Sequence, residues 1–249
     1  MSLSNHSAWV LLLMFSIILA GCSKLVRKDS PTISHIHIGH ALTGWPQTPN
    51  KRGLLVTAEL SSVAAATNSD LFLQATRNGN FENAKKYLKE VVLNVDPALL
   101  DPSFAEDYGL RKSAAQAITH LRLASEVDDA STNVQRTITQ TNIKASQIID
   151  RADELTAFLD AGLKSEDILE LEIIAEEVNR TLLSIAGGPE IASGYGLFEL
   201  REDIEKMVAR EDPPYQTVES WYLFNLVKLP DGQWGFSSRR SRGAAGVGY

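Results

Sequence analysis

Apolar side chains recur at helical spacing through the middle of the chain. An Ala- and Leu-rich segment without Pro or Gly predicts a helix over 54–77, which Asn78-Gly79 should end. The next helix is predicted over 81–95, because its apolar residues fall on one face of a helix with about 3.6 residues per turn. A third, Ala-rich helix should follow from Leu110 to about Val127.

The longest predicted helix, over 132–161, carries a heptad seam. The seam residues alternate at spacings of four and three: Val134, Ile138, Thr141, Ala145, Ile148, Ala152, Leu155 and Leu159. Such a seam is typical of helices that pack almost antiparallel in a bundle. We expect Gly162 to end this helix, and two further helices to follow over 166–186 and from Leu197 towards residue 212. The pattern predicts a mainly α protein, an antiparallel bundle of about six helices over 32–212.

The order of the predicted helices suggests an internal duplication. Tyr-Gly-Leu precedes a helix twice, at 108 and 195, which are 87 residues apart. A shift by that distance brings the predicted helices 54–77 and 81–95 close to 132–161 and 166–186. We therefore expect a duplicated three-helix unit.

The two ends of the bundle carry patterns that differ from the helices. Ile and polar residues alternate over 32–40, which predicts a short extended segment. Over 213–236, Asp231-Gly232 separates two β-rich runs and predicts a β-hairpin. Its aromatic residues offer a docking surface for a protein partner. The Gly- and Arg-containing tail over 237–249 is expected to be disordered.

Composition excludes several classes of protein. The 249 residues are 44% hydrophobic and 22% charged, which is typical of a globular chain. A formal net charge of −7 argues against nucleic-acid binding, which depends on neutralising phosphates. The single cysteine excludes an internal disulfide and a cysteine-based zinc site.

That cysteine ends an apolar stretch near the N-terminus. Val10 to Ala20 is apolar but has only about half the length that crosses a bilayer. Its last two residues begin the motif Leu19-Ala20-Gly21-Cys22. This motif resembles the lipobox of bacterial lipoproteins. The resemblance implies a signal peptide over 1–21, lipidation of Cys22, a tether over 22–31 and attachment to a membrane through the lipid, facing the periplasm or the exterior. The resemblance also implies the outer membrane as the destination, because Ser23 follows the cysteine. The alternative is a buried cysteine at the end of a core helix.

Three histidines lie within six residues, at His35, His37 and His40. In an extended strand His35 and His37 would share a face about 6.5–7 Å apart, so that both rings could reach one metal ion. Gly39 would let His40 join them, and His120 and Glu59 are candidate further ligands, because each is an isolated polar group among apolar neighbours. The cluster predicts a transition metal, zinc or copper, or non-covalent haem. Alternatively the histidines face water, and Glu59 is favoured by the helix dipole alone.

Two function hypotheses from different classes follow. The first is a membrane-anchored extracytoplasmic lipoprotein that binds a metal ion or haem through the histidines. The second is a structural or assembly lipoprotein without a cofactor, a helical bundle tethered near a membrane complex. An enzyme comes third, because no acid, base and nucleophile converge, although a metal hydrolase or oxidoreductase at the histidines stays open.

Overall fold

The chain forms a bundle of helices. The computed structural model describes residues 28–29, 31–188, 194–211, 215, 220–221, 226–228 and 234–236. Within these residues lie α1 Ile33–Leu42, α2 Leu54–Arg77, α3 Phe81–Val95, α4 Leu110–Glu126, α5 Thr132–Lys164, α6 Ile168–Ala186 and α7 Leu197–Val208. Short 3-10 turns lie at Pro49–Lys51, Pro97–Leu99 and Pro102–Phe104. The prediction of a mainly helical protein is confirmed.

Four helices form a ring around the centre of the core. Helix α2 packs against α3 and α6, and α5 packs against the same two helices from the other side. Phe72, Leu88, Leu155 and Leu182, one from each of these helices, are fully buried. Burial of a side chain of this size stabilises the fold by about 1.5–3 kcal/mol. Helix α4 packs on α2 and α5, α1 packs on α4, and α7 packs mainly on α5.

Local signals set the ends of α2 and α3, which begin and end at the predicted residues. Gly79 adopts a positive φ of 67° directly after α2, a conformation that favours glycine. The side chain of Asn80 then accepts a hydrogen bond from the backbone N–H of Asn83 and caps α3.

Gly162 does not end α5, contrary to the sequence prediction. The helix continues to Lys164, and Gly162 lies buried within it. A Cβ at this position would lie 3.1 Å from Leu88 Cδ2 and 3.3 Å from Ile174 Cγ2. The glycine therefore serves close packing of α5 against α3 and α6, and not chain reversal.

The segment over 32–40 is helical, so the predicted extended segment is wrong. A strand would place Ile36 and Ile38 on one face, but Ile36 is 38% exposed and Ile38 is fully buried. The buried residues of α1 recur instead at helical spacing: Ser34, His35, Ile38, Gly39, Ala41 and Leu42. The alternation of Ile and polar residues is thus coincidental, and contacts from distant residues stabilise the helix.

Helix boundaries recur at an interval of 87 residues. Helix α2 ends at Arg77 and α5 at Lys164, while α3 begins at Phe81 and α6 at Ile168. Helix α4 begins at Leu110 and α7 at Leu197. Buried positions recur at the same interval, as in Ala58 and Ala145, Ala65 and Ala152, Phe72 and Leu159, Val91 and Val178, and Val95 and Leu182.

Short strands pair through their backbones outside the bundle. They are β1 Lys28–Asp29, β2 Ser220–Trp221, β3 Leu226–Lys228 and β4 Trp234–Phe236, antiparallel in that order. The Asp231-Gly232 turn lies outside the described residues, as does most of the chain between these strands. The hairpin therefore stays a prediction, and so do the tail over 237–249 and the boundaries of the predicted segments.

The predicted signal peptide over 1–21 and Cys22 also lie outside the described residues. Within the part of the chain that the structure describes, no helix has both the length and the apolar character needed to span a membrane.

Candidate functional site

The N-terminus of α1 is held by residues at the end of α4. The carboxylate of Asp129 accepts hydrogen bonds from the backbone N–H groups of Ile33, at 2.6 Å, and Ser34, at 3.0 Å. The Ser34 hydroxyl donates to the carbonyl of Ala124, and Thr32 Oγ1 accepts from the backbone of His35. These bonds satisfy the first N–H groups of α1 and place a negative charge at the positive end of its dipole. Helix α1 is thereby fixed against α4.

His37, His40 and His120 meet at the contact between α1 and α4. His37 and His40 are three residues apart and share a face of α1, whereas His120 comes from α4. The Nδ1 atoms of His37 and His120 are 3.0 Å apart. One potential ligand atom from each of the three rings lies within 4.8 Å of the others, and all three residues are partly buried. We call these three residues the histidine triad.

The spacing of the triad suits one metal ion. Imidazole nitrogens bind zinc at about 2.0–2.1 Å, so two of them on one ion lie about 3.4–4.1 Å apart. His37 and His120 share a hydrogen bond in which one ring donates and the other accepts. A metal ion would take the place of the shared proton, which would move to the Nε2 atom of the ring that donates it.

Trp45 covers one side of the triad. Its ring centroid lies 4.7 Å from that of His40 and 4.9 Å from that of His120. The indole N–H donates to Tyr108 Oη, and the Tyr108 hydroxyl donates to Gln116 Oε1. The hydrogen bonds from Trp45 to Tyr108 and from Tyr108 to Gln116 therefore fix the orientation of Trp45 beside the histidines.

The environment of the triad favours neutral imidazoles. Burial lowers the pKa of His40, and the neighbouring His37 lowers it further. Burial, together with His40 and His37, lowers the pKa of His120 to about 4. The buried Nδ1 atom of His40 has no hydrogen-bond partner among the described residues. At neutral pH, His40 and His120 are thus in the form that binds metal ions.

His35 lies on the opposite side of α1 and does not join the triad. Its Nε2 is 3.0 Å from Glu211 Oε2, and the two side chains are 4% and 1% exposed. Glu211 Oε1 also accepts from Ser131 Oγ and Asn133 Nδ2. The expectation that His35 and His37 share a metal ion rested on the strand geometry. In the helix, His35 instead bonds to Glu211, just beyond the end of α7, and through it is linked to the start of α5.

Glu59 is bound by an arginine and lies outside the triad. Arg201 Nη1 donates to Glu59 Oε2 at 2.6 Å, and Arg201 Nε donates to Glu205. Burial raises the pKa of the Glu59 carboxyl, although the bond to Arg201 acts in the opposite direction. Glu59 is the one charged side chain in the sequence from Gly53 to Ser69. Its partner comes from α7, 142 residues away.

Four residues of this region were not among the sequence candidates: Trp45, Tyr108, Asp129 and Glu211. Trp45 stands in the loop between α1 and α2, where Gly44-Trp45-Pro46 indicates only a turn. Asp129 and Glu211 act near helix ends, where an acidic residue is equally compatible with a solvated position. A sequence signal was present only for Tyr108, which belongs to the repeated Tyr-Gly-Leu.

Comparisons with known proteins leave the site to be judged on its own chemistry. No protein family matches the chain, and searches of curated proteins and solved structures give no significant match.

Proposed function

We propose that this chain is a membrane-anchored extracytoplasmic lipoprotein that binds a transition-metal ion through His37, His40 and His120. The supporting observation is the convergence of three imidazoles from two helices that are fixed to each other. Imidazole is a ligand for zinc and copper, and three protein ligands leave a fourth position for exchange with solvent or a partner. Delivery, sensing or electron transfer would all use such an open site.

The membrane anchor rests on the sequence of residues 10–23. Acyl chains contribute about 0.8 kcal/mol for each buried CH₂ group, so a lipidated Cys22 would hold the protein firmly on a membrane. Ser23 favours the outer membrane. The anchor and the metal site are separate parts of the proposal and can fail separately.

The geometry supports an ion better than haem. Haem is a flat group that needs a crevice, with a ligand on one or both faces. The three histidine nitrogens instead converge on a small region, and the Trp45 ring packs against two of the imidazoles. A single ion fits this arrangement without moving Trp45.

Metal titration of the full chain in mild detergent tests the metal site. We expect one equivalent of Zn²⁺ or copper to bind, and His37→Ala, His40→Ala and His120→Ala each to weaken binding. Glu59→Gln is the matched control, because it removes a charge from a carboxylate outside the triad. Unchanged stoichiometry and affinity in the triple alanine variant would contradict the proposal.

The second candidate function, a structural or assembly lipoprotein, is supported by an exposed apolar pair on α6. Leu169 and Ile173 are four residues apart on one face and are 66% and 67% exposed. Exposed apolar side chains of this kind are common at protein interfaces. This function is favoured if the triad binds no metal.

We also infer that the bundle arose from a duplicated three-helix unit. Support comes from the helix boundaries and buried positions that recur at 87 residues, as described above. The metal site would have no counterpart in the second unit. Helix α1, which carries His37 and His40, precedes the first unit, and position 207 holds Met where the shift from His120 would require histidine.

A further inference from the structure

The triad offers an ion no negative charge. Within the described part of the chain, the group that could hold a metal ion consists of three histidines, with no carboxylate and no thiolate. Glu211 is engaged with His35, and Glu59 with Arg201. An ion bound to three neutral imidazoles therefore keeps its full charge in a partly buried position. The cost of desolvating a cation rises steeply with its charge, so neutral donors compensate a divalent ion less completely than a monovalent one.

Trp45 adds a second preference. Its indole ring packs against the imidazoles of His40 and His120, with its centroid 4.7 and 4.9 Å from theirs. Tryptophan has the most favourable aromatic face for a cation, provided that the cation has few tightly held waters. Because the indole N–H is bound to Tyr108, the ring is already oriented before an ion arrives.

Building on the proposed function, we propose that the histidine triad with Trp45 is a site for monovalent copper, which it binds in preference to Zn²⁺. Cu⁺ binds with two or three ligands and carries one charge, whereas Zn²⁺ takes a water molecule as its fourth ligand here and carries two charges. Trp45 thus adds a selectivity for Cu⁺ over Zn²⁺ that the three ligands alone do not provide.

The test compares two substitutions of Trp45 in the full chain, in mild detergent and without oxygen. Cu⁺ is supplied as its bicinchoninate complex and Zn²⁺ as its 4-(2-pyridylazo)resorcinol complex, so that transfer to the protein is read from the loss of colour. Trp45→Leu and Trp45→Phe both lose the N–H bond to Tyr108, but only phenylalanine keeps an aromatic face. We expect Trp45→Leu to lower the ratio of Cu⁺ to Zn²⁺ affinity by roughly tenfold, and Trp45→Phe to lower it much less.

Tryptophan emission gives a second measurement that does not depend on the leucine variant. One equivalent of Cu⁺ should quench part of the emission of the wild type, the same amount of Zn²⁺ should not, and Trp45→Phe should lose the quenching. The copper proposal would be overturned if Trp45→Leu and Trp45→Phe had equal ratios of Cu⁺ to Zn²⁺ affinity, or if Cu⁺ still quenched the emission of Trp45→Phe. Neither result would contradict Zn²⁺ binding at the triad. If neither metal binds, or if binding survives the triple histidine variant, the proposed function itself fails.

Discussion

Substitution of the buried carboxylate of Glu211 should destabilise the fold strongly. It accepts hydrogen bonds from His35 on α1 and from Ser131 and Asn133 at the start of α5. Its side chain is 1% exposed, so water cannot replace a lost partner. We therefore compare Glu211→Ala, which removes the acceptor, with Glu211→Gln, which keeps the shape and one oxygen.

The structure gives the expected sizes of the two effects. Removing a carboxylate that accepts several buried hydrogen bonds costs about 3–5 kcal/mol, because each donor left unsatisfied costs about 1–3 kcal/mol. We expect Glu211→Ala to lower the free energy of unfolding by that amount. Glu211→Gln should cost about 1–2 kcal/mol, the difference between hydrogen bonds to a charged and to a neutral acceptor.

Urea unfolding, followed by the circular dichroism of the helices, measures the free energy of unfolding of both variants. The slope of this free energy against urea concentration checks that the same surface is exposed on unfolding. The effect should reach the metal site, since α1 carries His37 and His40, and metal affinity should fall more in Glu211→Ala than in Glu211→Gln. The reasoning would be refuted if Glu211→Ala were within about 1 kcal/mol of the wild type, or if glutamine were no better than alanine.

Three other predictions concern separate parts of the molecule. Cys22→Ser should abolish labelling with radioactive palmitate and release the protein from membranes; equal partitioning of both forms, with no lipid on either, would contradict the lipobox. Arg201→Leu should destabilise the fold at neutral pH by about 1–3 kcal/mol by leaving Glu59 without its partner, and adding Glu59→Gln should recover part of the loss in a double-mutant cycle. The metal-free chain should lose stability as pH falls from about 6.5 to about 4, because the unfolded state takes up a proton that His120 resists when folded. Solvent screening limits this effect to about 1 kcal/mol, and in His120→Gln the same titration should show a correspondingly smaller loss.

The sequence was sufficient where structure depends on neighbours along the chain. The ends of α2 and α3 follow from Asn78-Gly79, Asn80 and Asp96-Pro97, which stop or start a helix through their own backbone preferences. The heptad seam of α5 predicted burial, and Val134, Ile148 and Leu155 are all fully buried. These signals are local or periodic, so a single sequence contains them.

The sequence was insufficient where a distant residue decides. Asp129 caps α1 from 96 residues away, and without that cap the alternation of Ile and polar residues is the stronger local signal. Gly162 is a residue typical of helix ends, but it serves the packing of α5 against α3 and α6. The partner of Glu59 could not be identified from spacing, because α7 reaches α2 only in the folded bundle.

The backbone conformation of one short segment decides which histidines can share an ion. In a strand, residues two apart lie on one face, which selects His35 and His37. In a helix, residues two apart point about 200° from each other, whereas residues three apart differ by only about 60°, which selects His37 and His40. The change from strand to helix thus sends His35 to Glu211 and turns His40 towards His120. Because Asp129 fixes that helix from the end of α4, the same contact that sets the backbone of α1 also brings its histidines to their third partner.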